Sequence, residues 1–342
     1  MSSTNSSTFR TPSPSPYDEL DSVGNLSIAQ APETSMEEVR GFFRGMSNTA
    51  ILRYGLGFDL PDAPALAKDT VVIVMDCEKF EHEPRCLTEF GLHTFTRKEM
   101  ATALSNPGPH GENLLRQVWY YHIRLLETAH YVNRTFCPGN PEKNHFGNTR
   151  FTTDQQAKDF LTESFSWPIN NVPGAGKCPV ILLGHAVDND VDMLRELGVD
   201  PSVISNVVAI IDTQKIARTQ GVHGRGDKIG LQALMEHYDV DFRDGHTAGN
   251  DAAYTMIGAL QMVMKTELRD NTTRSLQEIV NDLEVFSKGF HPDIGIANHC
   301  TRCGRKDHNR TECYGRIERC KKCLKANKTA AAYTHITKLC TR

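Results

Sequence analysis

The chain has 342 residues, of which 39% are hydrophobic and 23% are charged, and its net charge is −4. This composition supports a folded core of one large or two modest domains, and no run of about 18 apolar residues is present to cross a membrane. The N-terminus lacks the apolar segment of a signal peptide, so we expect an intracellular protein, in the nucleus or cytoplasm and not secreted. The ten cysteines are then expected to be metal ligands or core thiols.

The elements are predicted in chain order from the hydrophobic periodicity. Residues 1–37 are rich in Ser, Thr and Pro and are predicted to be disordered. Residues 38–286 are predicted to form one domain, 287–297 a linker and 298–342 a small separate module. The predicted helices cover 36–54, 111–134, 153–165, 231–238 and 252–268, and the predicted buried strands cover 71–75, 87–95, 180–183 and 207–211. Strands that alternate with helices predict an α/β fold.

Charge is unevenly distributed along the chain. Residues 297–342 contain twelve Lys and Arg against three acidic residues, a net charge of +9, so the rest of the chain carries −13. A basic tail on an acidic body favours a polyanionic partner for the tail. A solvated basic end without a partner is the alternative.

Two carboxylates close the first predicted strand. Asp76 and Glu78 are two residues apart and therefore point to the same face of the strand, whereas Cys77 points to the other. The carboxyl end of a buried strand is where α/β folds usually bind ligands. Adjacent carboxylates repel unless cations lie between them, so the pair is a candidate metal site. Ordinary solvated acids at a strand end are the alternative.

A third carboxylate is singled out by helical spacing. Asp190 falls on the same helix face as Met193 and Leu194, which must be buried, and an unpaired carboxylate there would be costly. A bound metal would remove that cost. Asp188 and Asp192 fall on the opposite, solvent-facing side.

The third segment adds a histidine and a fourth carboxylate. His246 lies in a Gly-rich loop, and Asp251 follows it by five residues at the start of a predicted helix. Four carboxylates and one histidine that converge can hold two divalent cations and deprotonate a water, which is the chemistry of phosphodiester hydrolysis.

These residues resemble the DEDDh family of 3′-to-5′ exonucleases, whose pattern of Asp-x-Glu, Gly-His-x4-Asp and His-x4-Asp falls on Asp76, Glu78, Asp190, His246 and Asp251. The resemblance implies an α/β fold with a ribonuclease H-like mixed sheet flanked by helices. A closer resemblance, to the fungal "good for full DEAD-box protein activity" subgroup, is carried by residues 54–58 and by the segment that contains His122, Glu127, Asn133 and 144–148. It covers about residues 40–285.

The resemblance also implies a mechanism. Two Mg²⁺ or Mn²⁺ ions would be held mainly by Asp76, Glu78, Asp190 and Asp251, and His246 would take the proton of the attacking water. An imidazole with an ordinary pKa of about 6.5 is suited to this role near neutrality.

The basic tail contains eight residues with metal-ligand spacing. Cys300-x2-Cys303-x4-His308-x4-Cys313 has the spacing of a CCHC zinc knuckle, a module that binds single-stranded RNA. The second set, which repeats the order with a longer loop, is Cys320, Cys323, His335 and Cys340. Sequential zinc sites are expected, and a cross-braced arrangement of the same eight ligands is the alternative. The expected nucleic-acid contacts are Arg302, Arg305, Lys306, Arg310, Lys321 and Lys322.

The sequence therefore predicts a metal-dependent 3′-to-5′ exonuclease that acts on RNA or single-stranded nucleic acid and has a basic zinc tail. RNA-processing or export proteins are candidate partners. One alternative is a catalytically silent nucleic-acid-binding adaptor in RNA processing or mRNA export. Another is a RING-like ubiquitin ligase, if the zinc ligands are cross-braced.

Overall fold

The computed structural model describes residues 35–224, 226, 228–269, 273–315 and 319–340. Of the predicted disordered segment 1–37, the first 34 residues lie outside this range. The strands are β1 (Val71–Lys79), β2 (Leu87–Thr96), β3 (Trp119–Leu125), β4 (Asn148–Thr152), β5 (Val180–Gly184) and β6 (Val207–Asp212). The helices are α1 (Met36–Phe43), α2 (Asn48–Gly55), α3 (Arg97–Ala103), α4 (Glu112–Leu115), α5 (Asp154–Ser164), α6 (Asp188–Glu196), α7 (Thr213–Thr219), α8 (Leu231–His237), α9 (Ala248–Val263), α10 (Leu276–Ser287), α11 (Lys321–Lys325) and α12 (Thr329–Ala332).

The six strands form one mixed sheet in the order β4-β3-β2-β1-β5-β6. The β1–β2 and β2–β3 pairs are antiparallel, and the other three pairs are parallel. Strand β1 lies in the middle because its run of Val and Ile can be buried on both faces. The predicted α/β fold with a mixed sheet is confirmed.

Helices cover both faces of the sheet. On β1, Val72 and Val74 belong to the core that includes α9, whereas Ile73 and Met75 belong to the core on the other face, with α5 and α6. Every residue of α9 is buried. The carboxyl end of β1 and the start of α9 are thereby fixed by packing on both sides.

The predicted helix over 111–134 is wrong. Only Glu112–Leu115 is α-helical there, and Trp119–Leu125 is strand β3. This stretch is rich in aromatic residues that favour strands, and its side chains alternate: Tyr121 and Ile123 enter one core and Tyr120 the other. The apolar residues that suggested a helical stripe come from two different elements. The predicted helix over 36–54 is likewise divided into α1 and α2.

The segment predicted as a linker is packed against the sheet. Phe290 contacts the rings of Trp119 and Tyr121, with centroids 4.8 and 5.0 Å away. Ile296 exchanges two backbone hydrogen bonds with Phe151 at the edge of β4. Within the described residues, no helix is long and apolar enough to cross a membrane.

The tail module also contacts the body. The imidazole of His335 lies 4.4 Å from that of His130, and the ring of His299 lies 5.5 Å from that of Phe151, measured between centroids. The cysteine-rich module is therefore placed beside β4 and the loop that follows β3.

Candidate active site

Asp76 and Glu78 lie at the carboxyl end of β1. By the alternation of the strand they share the α9 side with Val72 and Val74, while Cys77 enters the opposite core. The antiparallel strand β2 places Glu89 directly opposite Glu78. Three carboxylates thus occupy one short stretch of the sheet.

Asp190 comes to the same place from the first turn of α6. It is 4% exposed, and its Oδ1 accepts the backbone N–H of Cys77 at 2.9 Å. This hydrogen bond ties α6 to β1. Asp188 and Asp192 are exposed, and Asp192 pairs with Arg195. The helix faces are those that the spacing predicted.

Asp251 and His246 approach from the start of α9. The buried Asp251 accepts the backbone N–H of His246 on Oδ2 at 3.0 Å. The imidazole of His246 is 48% exposed, and its Nδ1 lies 3.6 Å from Oε1 of Glu78. Ligand atoms of Glu78, His246 and Asp251 all lie within 4.8 Å of one another. A half-exposed imidazole is therefore held over buried carboxylates.

Burial and mutual repulsion raise the pKa values of these carboxylates. Burial raises the pKa of Asp76 and of Asp190 well above the usual range, and neighbouring carboxylates raise it further. Burial, with repulsion from Glu78, raises the pKa of Asp251 to about 8. The close approach of Glu78 raises the pKa of His246. The fold thus holds together carboxylates that repel one another.

Two oxygens of the cluster have no partner. Oδ2 of Asp76 and Oδ1 of Asp251 are buried without a hydrogen bond to any described residue. Buried polar atoms normally have one, so these oxygens call for a ligand. Converging carboxylate oxygens are the donors that Mg²⁺ and Mn²⁺ prefer. The residues therefore fit a divalent cation site.

Strand β2 was predicted from the sequence, but its role in positioning α9 was not. Alternate residues of β2 face the start of that helix: Glu89 Oε1 accepts the N–H of Ala248 at 3.0 Å, and His93 Nε2 lies 3.0 Å from the carbonyl oxygen of Gly249. Between them, a Cβ on Gly91 would lie 2.1 Å from the Ala248 carbonyl oxygen. Polar or small residues at every second position of an otherwise apolar strand were the available signal.

Glu89 is itself held by two buried bases. Nε2 of His122 and Nε of Arg124 both lie 3.5 Å from its Oε2. Burial raises the pKa of Glu89, but the two bases more than offset this and lower it overall. Glu89 therefore stays charged and anchors α9 by a charge-assisted hydrogen bond.

Comparison with known families agrees with this geometry. A family model described as "DNA polymerase III subunit epsilon-like, C-terminal domain", of the DEDDh type, matches residues 71–262, more than half of the chain. The chain belongs to the DEDDh exonuclease family. The matched range contains β1, α6 and the start of α9, the three elements that carry the predicted carboxylates. The DEDDh resemblance is thereby confirmed, while placement in the fungal subgroup stays a prediction.

Three individual comparisons each find similarity over part of this DEDDh chain. An uncharacterized nucleolar protein of Schizosaccharomyces pombe, C2C4.08, is 24% identical over 202 residues, which cover 57% of this chain and 70% of the relative. The zinc-bound E. coli exonuclease I–single-stranded DNA complex has a TM-score of 0.35 at 13% identity, over 59% of this chain and 42% of the other. A second exonuclease I structure has a TM-score of 0.33 at 13% identity, over 63% and 43%.

The eight predicted zinc ligands of the tail gather into two clusters. In each cluster the ligand atoms all lie within 4.8 Å of one another: Cys300, Cys303, His308 and Cys313 in one, and Cys320, Cys323, His335 and Cys340 in the other. The sets are sequential along the chain, so they differ from the cross-braced alternative. Gly304, with a φ of 74°, forms the tight turn of the first cluster.

The clusters fit tetrahedral zinc. The sulfurs of Cys323 and Cys340 are 3.8 Å apart, and two sulfurs each about 2.3 Å from one tetrahedral zinc have about the same separation. In each cluster the histidine Nε2 faces a cysteine sulfur, 3.5 Å away at Cys303 and 3.7 Å away at Cys323. The other ring nitrogen contacts Asp307 or Thr334, an outer contact that orients a ligand imidazole.

The predicted nucleic-acid contacts have different environments. Of these six residues, Arg305, Lys306, Lys321 and Lys322 are exposed. Arg302 donates from Nη1 to the Cys313 carbonyl at 3.2 Å. Arg310 donates from Nη1 to the Thr334 carbonyl at 2.9 Å and so links the two clusters. Arg302 and Arg310 therefore also contribute to the structure of the tail.

Proposed function

We propose that the protein is a metal-dependent exonuclease that removes nucleotides from the 3′ end of RNA or another single-stranded nucleic acid. The observation that carries the proposal is the convergence of four carboxylates with one half-exposed imidazole. Two of the carboxylate oxygens are buried without a hydrogen bond to any residue that the structure describes. Such a set is costly to fold unless cations neutralise it.

The residues divide into ligands and a base. Asp76, Glu78, Asp190 and Asp251 would hold two Mg²⁺ or Mn²⁺ ions, which supply water activation and stabilise the leaving 3′ oxygen. His246 presents Nδ1 to Glu78, so its Nε2 is the atom that accepts the proton of the attacking water. Glu89 and His93 position α9, and with it Asp251.

The tail would supply binding. Two structural zinc ions, one in each Cys/His cluster, would order the module, and its exposed bases would contact backbone phosphates. The nucleolar location in the name of the fission yeast relative supports a nuclear location for this protein. RNA-processing and export proteins are the proposed partners there.

The experiment uses one oligomer labelled at either end, as RNA and as DNA, with Mg²⁺ or Mn²⁺ and the full chain. A 3′-to-5′ exonuclease converts the 5′-labelled strand into a ladder that shortens one nucleotide at a time, and releases the 3′ label at once as a mononucleotide. The reverse assignment of labels would contradict the polarity.

The variant His246→Ala tests whether His246 is a general base or a metal ligand. We expect hydrolysis to slow by about 10²- to 10⁴-fold, the usual contribution of a general base, while divalent-metal affinity measured by calorimetry changes little. An equal loss of metal affinity would make His246 a metal ligand instead. If the wild-type chain binds strands but cleaves none with either metal, the adaptor function replaces the nuclease.

A further inference from the structure

A cleft lies between the first zinc cluster and a loop of the body. It has a volume of about 390 Å³. Residues 132, 134 and 139–143 form its body wall, and Arg302, Arg310, Thr311 and Cys313 form its tail wall. Ligand sites have volumes in this range. The cleft therefore brings together residues from the two parts of the chain that the sequence analysis treated separately.

The charged side chains that line the cleft are mostly basic. They are Arg134, Glu142, Lys143, Arg302 and Arg310. The one acid, Glu142, pairs at 2.9 Å with the buried Arg124. Arg134 and Lys143 are exposed. The cleft thus presents an excess of positive charge on both walls, which suits an anionic ligand.

The body wall touches the loop of His246. A Cβ on Gly139 would lie 2.2 Å from the carbonyl oxygen of His246, so the two backbones are in contact. Asn140 donates its backbone N–H to Oγ1 of Thr247 at 3.4 Å and its side-chain amide to Oδ1 of Asp244 at 3.1 Å. One end of the cleft is therefore adjacent to the active site.

The other end of this wall is fixed to β1. Glu81, which follows β1, accepts the backbone N–H groups of residues 134–137 at 2.7–3.2 Å. Asn133 Nδ2 donates to the carbonyl of Lys79 at 2.8 Å. Arg134 is thus presented from a loop clamped to the strand that carries Asp76 and Glu78. A preorganised wall loses little entropy when a ligand binds.

The geometry points to this cleft as the site where a single-stranded nucleic acid is held next to the catalytic carboxylates. The backbone phosphates of this nucleic acid contact Arg134 and Lys143 from the body and Arg302 from the first zinc cluster. A guanidinium group can donate two parallel hydrogen bonds to the oxygens of one phosphate. Proteins commonly bind single strands in a basic groove that follows the nucleic-acid backbone. The inference rests on the proposed function, because it supplies the approach to that active site.

The test compares two double variants of the full chain, both in the Asp190→Asn background so that no strand is cut. Arg134→Ala/Lys143→Ala removes the exposed charges of the body wall. Lys265→Ala/Arg269→Ala removes one Lys and one Arg from exposed positions beyond the far end of α9. Binding of a fluorescent single-stranded RNA and of the same DNA sequence is titrated at several salt concentrations.

We expect the slope of log K against log salt to fall by about 1.4 in the cleft variant, since each single-strand phosphate contact contributes about 0.7. The control variant should keep the wild-type slope. Equal slopes in both variants would overturn the inference, and so would an absence of strand binding by the parent protein. Cleavage is measured separately with Asp190 restored. A wild-type chain that binds in the cleft but cuts nothing would refute the nuclease and leave the cleft standing.

Discussion

The two kinds of proposed metal site in this chain are built in opposite ways. The carboxylate cluster lies on β1, α6 and α9, whose apolar residues belong to two large cores. The zinc clusters have almost no apolar core, since the buried group in the second one is Cys320, Cys323 and Ala332. In the body, packing holds repelling ligands together. In the tail, the proposed zinc ligands themselves make up most of the buried group.

This contrast gives the metals opposite roles in stability. A fold that holds carboxylates close together is less stable without a cation, because the carboxylates repel one another, and binding of a cation restores that stability. A small module without a core depends on its metal for folding. Loss of a metal-binding side chain should therefore change the free energy of unfolding in opposite directions in the two regions.

Zinc removal should have the largest effect. Each structural zinc site contributes an apparent free energy of about 10–16 kcal/mol, so a zinc chelator should unfold the tail. Hydrogen exchange should then show loss of protection in α11 and α12, while the sheet of the body keeps its protection. Elemental analysis should find two zinc ions per chain before chelation and none after it. A tail that stays protected without zinc would break the contrast.

Gly91→Ala tests how tightly packing fixes the carboxylate cluster. The new Cβ would lie 2.1 Å from the carbonyl oxygen of Ala248, so α9 must move. Overpacking typically costs about 1–3 kcal/mol, and here the shift also displaces Asp251 and should reduce hydrolysis. The matched control is Gly41→Ala in α1, where the new Cβ would have no described atom within 4 Å apart from its chain neighbours and the backbone of its own helix. Denaturant unfolding that shows no difference between the two variants would contradict the packing argument.

The substitution Asp190→Asn should stabilise the metal-free protein, whereas removal of zinc destabilises the tail. The amide oxygen can still accept the Cys77 N–H, while a buried carboxyl group whose ionisation the fold disfavours, as its raised pKa shows, is replaced by a neutral amide. We expect the metal-free body to gain about 1 kcal/mol, or roughly 2–4 °C in melting temperature for a domain of this size. Added Mg²⁺ or Mn²⁺ should stabilise the wild-type chain more than the variant. A variant that melts lower than the metal-free wild type would show that the carboxylates do not strain the fold.

The smallest effect concerns the surface of the tail. Lys306→Ala/Lys321→Ala removes two exposed charges without changing a proposed zinc ligand. The slope of log K against log salt for a single strand should fall by about 1.4, with zinc content and melting unchanged. An unchanged slope would place the phosphate contacts of the tail in the cleft alone.

Part of the candidate site could be predicted from residues that lie near one another in the sequence. The two-residue spacing of Asp76 and Glu78 and the helical spacing around Asp190 each determine a face, because period 2 and period 3.6 are local properties. The two zinc clusters likewise follow from short spacings. The order of the motifs indicated the family, which the match over residues 71–262 confirms.

The features that depend on long-range pairing were missed. Trp119–Leu125 was predicted as helix because its apolar residues also fit a helical stripe, and it is a strand because it pairs with β2 and β4. Glu89 supports α9 across 159 residues of sequence, and the cleft joins residue 134 to residue 310. No local pattern contains these contacts, since they arise when distant segments meet in the folded chain.

The most direct test of the account is single-turnover hydrolysis of a 5′-labelled RNA in Mg²⁺ or Mn²⁺ by three proteins. These are the wild type, Asp190→Asn and Asp188→Asn, whose substituted residues lie on opposite faces of α6. We expect the same single-nucleotide ladder at similar rates for the wild type and Asp188→Asn, and no product for Asp190→Asn. Loss of activity in Asp188→Asn with activity kept in Asp190→Asn would contradict the assignment of the metal site.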